Sequence, residues 1–447
     1  MGEVMLDASR KLRLWSPPQR LEKHEMVAIS DAVLSEPDVA FGENEDIFRI
    51  RANGLDWDVG NVVYAPKQES RIAVGPDGKK LGIFMTHGGA SDWRSIERLA
   101  RTFCGKRGFK VCSMTYPGRF YFPDPSRDWP YDTFHADGTA RTPIWLKDEG
   151  IAADEYEVKT DLSNRAIYGS RSYAVAKPGT RFYLRMATWP KAFVEAMKDI
   201  CRRHFPPEEW SIYVHGHSTG GPFVHTLMQR VENVKGLVGI ENSSFGEFYH
   251  AMTGHDWPTP FNYVLVRTWR ELARYGGAEL AMQEGNKPLF RLAQVMEEIF
   301  EAWDKVKRFP QFKAENWYHN RTPSCLIEAA KIAATFQKLD REATAALVQE
   351  YLDYGVPLAG PNAKPVPPIL HAINQFSRDH TPENYQIIAK KFAALDLPPQ
   401  FHVIEFGTGV HSYWRTEEGL PLGVCPVVVK IWHEAIMNGY FDGAREP

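Results

Sequence analysis

Gly216-His217-Ser218-Thr219-Gly220 constrains the fold of this chain more than any other stretch. A β-rich run, Trp210 to Val214, precedes it, and a helical run, Phe223 to Val231, follows. Strand, sharp turn and helix in that order are what a G-x-S-x-G elbow requires. Gly216 and Gly220 flank a turn so tight that a side chain there would collide with the neighbouring strand and helix, and glycine also tolerates positive φ. Ser218 is then expected at the carboxyl end of its strand, beside the N-terminus of the next helix, where free N–H groups favour negative charge. A serine held this way is built to attack a carbonyl.

Composition narrows the alternatives. With 447 residues, 43% hydrophobic and 24% charged, the chain can bury a large core. Its length permits two or three domains, and an α/β fold carrying insertions holds the same length in one unit. A formal charge of −3 leaves no basic footprint, which argues against nucleic acid or an anionic membrane surface as the main partner. Cys104, Cys112, Cys201, Cys325 and Cys425 are scattered and odd in number. That suits free, mostly buried thiols in a reducing compartment better than a disulfide framework. No Cys/His cluster has zinc-ligand spacing, Met1 to Pro18 lacks the apolar core of a secretory signal, and no apolar run approaches bilayer length. The expected address is cytoplasmic.

Taken in order, residues 1–42 show no sustained period and read as an N-terminal arm or partial lid. Alternating β-type residues begin near Ile47, with Asn53-Gly54 between two runs, so the sheet is expected to start with a hairpin. Leu81 to Thr86 is a continuous apolar strand that runs into His87-Gly88-Gly89, followed by a helix ending at Gly105 and a strand from Phe109 to Tyr116. Strand, helix, strand implies right-handed crossovers and a parallel sheet. A polar, aromatic, Pro-rich excursion at 119–181 interrupts this rhythm, and its length argues for a functional loop or lid. A helix resumes near Phe182 and leads into the elbow strand.

Beyond the elbow helix, Val234 to Ile240 is the next buried strand, ending at Glu241. Residues 251–367 read as a mostly helical cap with a Pro-rich return linker, and their apolar stripes are core packing. A strand then runs from Pro368 to Ile373, a helix follows Asp379-His380-Thr381-Pro382, and Phe401 to Phe406 is the last strand of this series. Gly407 to His411 forms a glycine-rich loop after it, and the final helix spans about Pro426 to Met437. The core therefore falls into two parts, 43–250 and 368–447.

The order strand–HGG, strand, elbow serine, strand–Glu, cap, strand–Asp, strand–loop–His resembles the α/β-hydrolase fold from about Ile47 to Tyr440. The triad order Ser, acid, His is that family's. The resemblance implies a mostly parallel sheet flanked by helices, with the cap inserted before the last two strands. It also implies an oxyanion hole at His87-Gly88-Gly89, with backbone N–H groups of Gly89 and Thr219 as donors and Gly88 beside them. Ser218 is the expected nucleophile and His411 the expected general base.

Two carboxylates compete for the third place. Asp379 occupies the loop where most family members keep their acid, but Asp-x-Thr-Pro also caps a helix. Glu241 ends an apolar strand, where a carboxylate is costly unless paired, and Asn242, Ser243 and Ser244 are at hand to satisfy it. Glu241 is favoured, as in a branch that includes some bacterial carboxylesterases, with Asp379 as the alternative.

The implied activity is serine-dependent hydrolysis of a carboxylic ester of a small molecule, with no metal or organic cofactor required. An amidase or lactonase would use the same residues, and a hydrolase-like binding protein is the rival from another class. Tyr116, Arg119 and His217 are candidate substrate contacts, within a roomy aromatic-lined pocket. Exposed aromatics permit a homodimer without requiring one.

Overall fold

The structure, a computed structural model, is described over residues 20–88, 94–117, 152–161, 171–218, 220–242, 327–355, 357–358, 360–377, 385, 392–393, 395 and 397–442. β1 (Arg20–Leu21) and α1 (Lys23–Ser35) come first, then β2 (Phe41–Ala52), β3 (Leu55–Pro66), β4 (Lys80–Thr86), α2 (Arg94–Arg107) and β5 (Lys110–Met114). β6 (Tyr156–Asp161) and β7 (Arg171–Ala176) precede α3 (Arg181–His204), β8 (Trp210–Gly216), α4 (Gly221–Met228) and β9 (Val234–Ile240). The series closes with α5 (Arg341–Leu352), β10 (Ile369–Asn374), β11 (Phe401–Phe406), β12 (Pro421–Val424) and α6 (Cys425–Met437).

Nine strands form one sheet in the order β1-β11-β10-β9-β8-β4-β5-β3-β2. The pairings from β1 through to β5 are parallel, while β3 joins β5, and β2 joins β3, antiparallel. This is the mostly parallel, helix-flanked sheet of the α/β-hydrolase fold. The hairpin turns at Asn53-Gly54, whose φ values of 45° and 78° are those of a type I′ turn.

β4 and β8 lie side by side at the centre and are buried along almost their whole length, which is why both read as continuous apolar runs rather than alternating ones. From β4 the chain proceeds to β5 on one side, and from β8 to β9 on the other. The reversal opens a crevice at the carboxyl ends of β4 and β8, the usual ligand position in an open α/β sheet. His87-Gly88 and Ser218 emerge there.

Helices α1, α2 and α6 pack together, as do α3 and α4 against their own strands. Phe103 of α2 stacks on Trp432 of α6 at 5.7 Å between ring centroids. Burying each such ring contributes roughly 1.5–3 kcal/mol. Among the described residues no helix is long and apolar enough to cross a membrane. Cys104, Cys112, Cys201 and Cys425 are free and buried; burial pushes the Cys104, Cys112 and Cys425 thiols up to about 12. Cys325 lies outside the described residues.

Two expectations, the N-terminal arm and the end of the helix before β5, need correction. Residues 20–42 are not an arm: β1 pairs with β11, and α1 packs on α6 after a capping box in which the Glu22 N–H donates to Glu25. The excursion at 119–181 contains an antiparallel pair, β6 and β7, outside the main sheet; residues 118–151 and 162–170 lie outside the description. Helix α2 runs two residues past Gly105 and stops at Gly108, whose φ is +70°.

Of residues 251–367, expected from the sequence to form a cap, 327–355, 357–358 and 360–367 are described. Ala329, Ala330, Ala333 and Ala334 are buried. α5 docks through the Tyr351 hydroxyl, which donates to the Ala187 carbonyl at 3.1 Å and accepts from Asn53 Nδ2 at 2.6 Å.

Candidate active site

The elbow is assembled by steric exclusion. A Cβ at Gly216 would lie 2.3 Å from the Gly220 carbonyl oxygen, so only glycine lets β8 turn this sharply into α4. Ser218 takes up the turn at φ 50°, a left-handed conformation that costs a non-glycine residue roughly 1–2 kcal/mol. What holds it there is β9: the Ser218 N–H donates to the Glu241 carbonyl at 2.6 Å, and Ser218 forms a parallel bridge with Asn242. The Ser218 carbonyl in turn accepts from Gly221 N–H at 2.9 Å as α4 begins.

Glu241 shows the same strain, at φ 53°, and its residue is fully buried. An ionised carboxylate in that position needs several donors. Among the described residues it has three: Asn374 N–H to Oε1 at 3.1 Å, the Ser377 hydroxyl to Oε2 at 2.5 Å, and His411 Nδ1 to Oε2 at 3.0 Å. The expected donor Asn242 is not among them. The two donors besides His411 come from the end of β10 and the turn after it. Sequence reasoning missed Asn374 and Ser377, and the available signal was their position at the end of β10 and in the turn after it, next to where the alternative acid was sought.

A carboxylate only accepts, so His411 carries its proton on Nδ1 and its lone pair on Nε2, the tautomer a general base needs. The His411 side chain is 21% exposed, in contact with solvent yet anchored. Its ring lies 4.5 Å from the ring of His217, the neighbour of Ser218, so folding carries the C-terminal histidine to the elbow itself.

The loop after β4 completes the cluster. A Cβ at Gly88 would stand 2.7 Å from His217 Nδ1 and 3.3 Å from Ser218 Cβ, which places the Gly88 backbone against the elbow. His87 is buried, its ring stacked on Tyr116 at 4.0 Å and its carbonyl accepting from the Tyr116 hydroxyl at 2.6 Å.

The candidate residues divide as follows. Ser218, Glu241, His411, Gly88 and His217 come together at the carboxyl ends of β4, β8 and β9. Tyr116 is only 3% exposed, and its hydroxyl donates to the His87 carbonyl, so it braces the loop that carries Gly88. His217 is likewise buried, with Nε2 donating to the His411 carbonyl at 3.1 Å. Gly89, Thr219, Arg119 and Asp379 lie outside the described residues.

No protein-family model matches the chain. No curated protein matches it either. Solved structures do. The Cif epoxide hydrolase from Acinetobacter nosocomialis aligns over 95% of this chain and 98% of its own at 14% identity, with a TM-score of 0.33. The haloalkane dehalogenase DbeA from Bradyrhizobium elkani aligns over 88% and 99% at 14% identity, TM-score 0.34. An S-formylglutathione hydrolase from Agrobacterium tumefaciens aligns over 90% and 100% at 11% identity, TM-score 0.38.

Proposed function

We propose that this protein is a serine hydrolase that cleaves a carboxylic ester of a small molecule through an acyl-enzyme. The observation that carries the proposal is the His411 Nδ1 to Glu241 pair, made beside an elbow whose serine is tied by its own N–H to the Glu241 backbone. In this reading Ser218 attacks the ester carbonyl while His411 Nε2 takes its proton, and His411 then returns that proton to the departing alcohol. Water, deprotonated by His411, releases the acid and frees the serine. Glu241 keeps the imidazole in its productive tautomer and stabilises the imidazolium. Gly89 and Thr219 would donate backbone N–H groups to the developing oxyanion, each worth about 3 kcal/mol.

A screen of p-nitrophenyl and methyl esters of graded acyl size, beside matched amides and lactones, tests the reading. Turnover of at least one ester by the wild type, lost in Ser218→Ala, is the expected result. Labelling by a fluorophosphonate probe should be lost in the same variant. Activity should fall as acid protonates His411. Equal turnover by Ser218→Ala would end the proposal, and amide turnover exceeding ester turnover would replace ester with amide as substrate class.

A further inference from the structure

The loop that carries His411 is gripped from β8 and from the turn that carries Ser218. His215, within β8, and His217, just past its end, both reach the segment 411–414. His217 Nε2 donates to the His411 carbonyl at 3.1 Å. His215 Nε2 lies 3.1 Å from the Tyr413 hydroxyl, while its Nδ1 lies 3.1 Å from the Val238 carbonyl.

Protonation states follow from the partners. A carbonyl only accepts, so His215 carries its proton on Nδ1 and accepts on Nε2 from the Tyr413 O–H. Burial holds this imidazole neutral, pushing its pKa down to about 3. His217 by the same reasoning carries a proton on Nε2. Its ring is wedged between Gly88, the facing ring of His411 at 4.5 Å, and the edge of Trp414 at 4.9 Å.

We propose that His215 and His217 are positioning residues for the reaction: two hydrogen bonds, one from β8 and one from the turn after it, fix the segment 411–414, and with it the approach of His411 to Ser218. This rests on the serine-hydrolase reading. The segment is also held from outside, since the Tyr413 carbonyl accepts from Val424 N–H at 3.0 Å and the Trp414 carbonyl accepts from Arg98. Those contacts tie the loop to β12 and α2. Toward the elbow, the two histidines act beside the Glu241 carboxylate on His411 Nδ1: that carboxylate sets the imidazole's tautomer, and the histidines fix the main chain and the Tyr413 ring of the segment that carries it.

The test compares His217→Phe, which keeps a ring and deletes the donor, with His217→Gln, which restores an N–H near the same place, and adds Tyr413→Phe. For His217→Phe and Tyr413→Phe, kcat should fall about ten-fold, the equivalent of one hydrogen bond, with KM changed much less. His217→Gln should recover most of the loss. The low-field proton resonance of the His411–Glu241 hydrogen bond, identified by its absence in Glu241→Gln, should broaden in His217→Phe and stay sharp in His217→Gln.

Unchanged kcat and an unchanged resonance in His217→Phe, or equal losses in the Phe and Gln variants, would overturn the proposal. If His217→Phe does not fold, wild-type kcat in Tyr413→Phe would overturn it as well. The resonance needs no turnover, so inactivity of the wild type toward every ester counts against the hydrolase reading alone, while a resonance indifferent to His217 counts against the positioning role.

Discussion

The backbone N–H of Ser218 donates to the backbone carbonyl of Glu241 at 2.6 Å. The proposed nucleophile and the proposed acid are therefore fixed to each other through the main chain just past the ends of the adjacent strands β8 and β9, before any side chain is considered. Both sit at positive φ, 50° and 53°, and each helps to hold the other there. The Glu241 carboxylate then reaches His411 from a fully buried position.

Exchanging Glu241 for Gln should lower kcat by on the order of 10³ to 10⁴, because an amide no longer enforces the Nδ1–H tautomer of His411. Asp379→Asn should stay close to wild type. Steady-state kinetics on the best ester decides; the reverse pattern would return the acid to Asp379.

Ser377→Ala removes one hydroxyl donor to the Glu241 carboxylate. A charge-assisted hydrogen bond is worth about 1.5–3 kcal/mol. We expect a loss of about that size in thermal or urea stability, accompanied by a lower kcat. A wild-type unfolding midpoint would show that the Ser377 hydroxyl contributes nothing.

Adding one methyl group should have different effects at two glycines. At Gly216 it would meet backbone, the Gly220 carbonyl at 2.3 Å, and the elbow cannot yield. Gly216→Ala is expected to cost about 2–3 kcal/mol of stability. At Gly88 it would meet the His217 ring at 2.7 Å, so Gly88→Ala should fold but lose activity as that ring is displaced. Circular dichroism melts alongside kinetics separate the two outcomes.

Stability should decline in mild acid before the carboxylates titrate. Burial pushes the imidazoles of His215 and His225 down to about 3 from the ordinary 6.5, so the folded protein keeps both neutral. Below pH 6.5 the unfolded chain takes up protons that the folded one refuses. The stabilisation is thus complete above 6.5 and is lost progressively as pH falls toward 3. At pH 5 each histidine accounts for a loss of roughly 2 kcal/mol. Urea midpoints between pH 7.5 and 5 measure this, and a flat profile would contradict it.

The legible parts of the sequence were those where a local pattern has one physical explanation. Gly216 to Gly220 between two periodic segments, Asn53-Gly54 between two alternating runs, and a lone carboxylate ending the apolar strand at Glu241 each pointed to their place in the fold. Helix α1 was missed because its buried face is Met26, Ser30 and Val33: a serine in the middle erases the apolar stripe. β1 is two residues long and is recruited by backbone pairing with β11, which leaves no compositional trace. Ser377 has its partner 136 residues upstream, and no nearby residue hints at it. The bond from the Tyr116 hydroxyl to the His87 carbonyl was not legible either, because an aromatic at a strand end looks the same in sequence whatever it props up.

The paired left-handed residues limit how this protein can be made sturdier. Swapping a strained side chain for glycine is among the simplest thermostabilising edits, relieving roughly 1–2 kcal/mol per site. At 218 and 241 that edit would delete the very hydroxyl and carboxylate on which the proposed chemistry depends. An engineer would have to look instead to the outer helices and the hairpin, leaving the crevice as taut as it is.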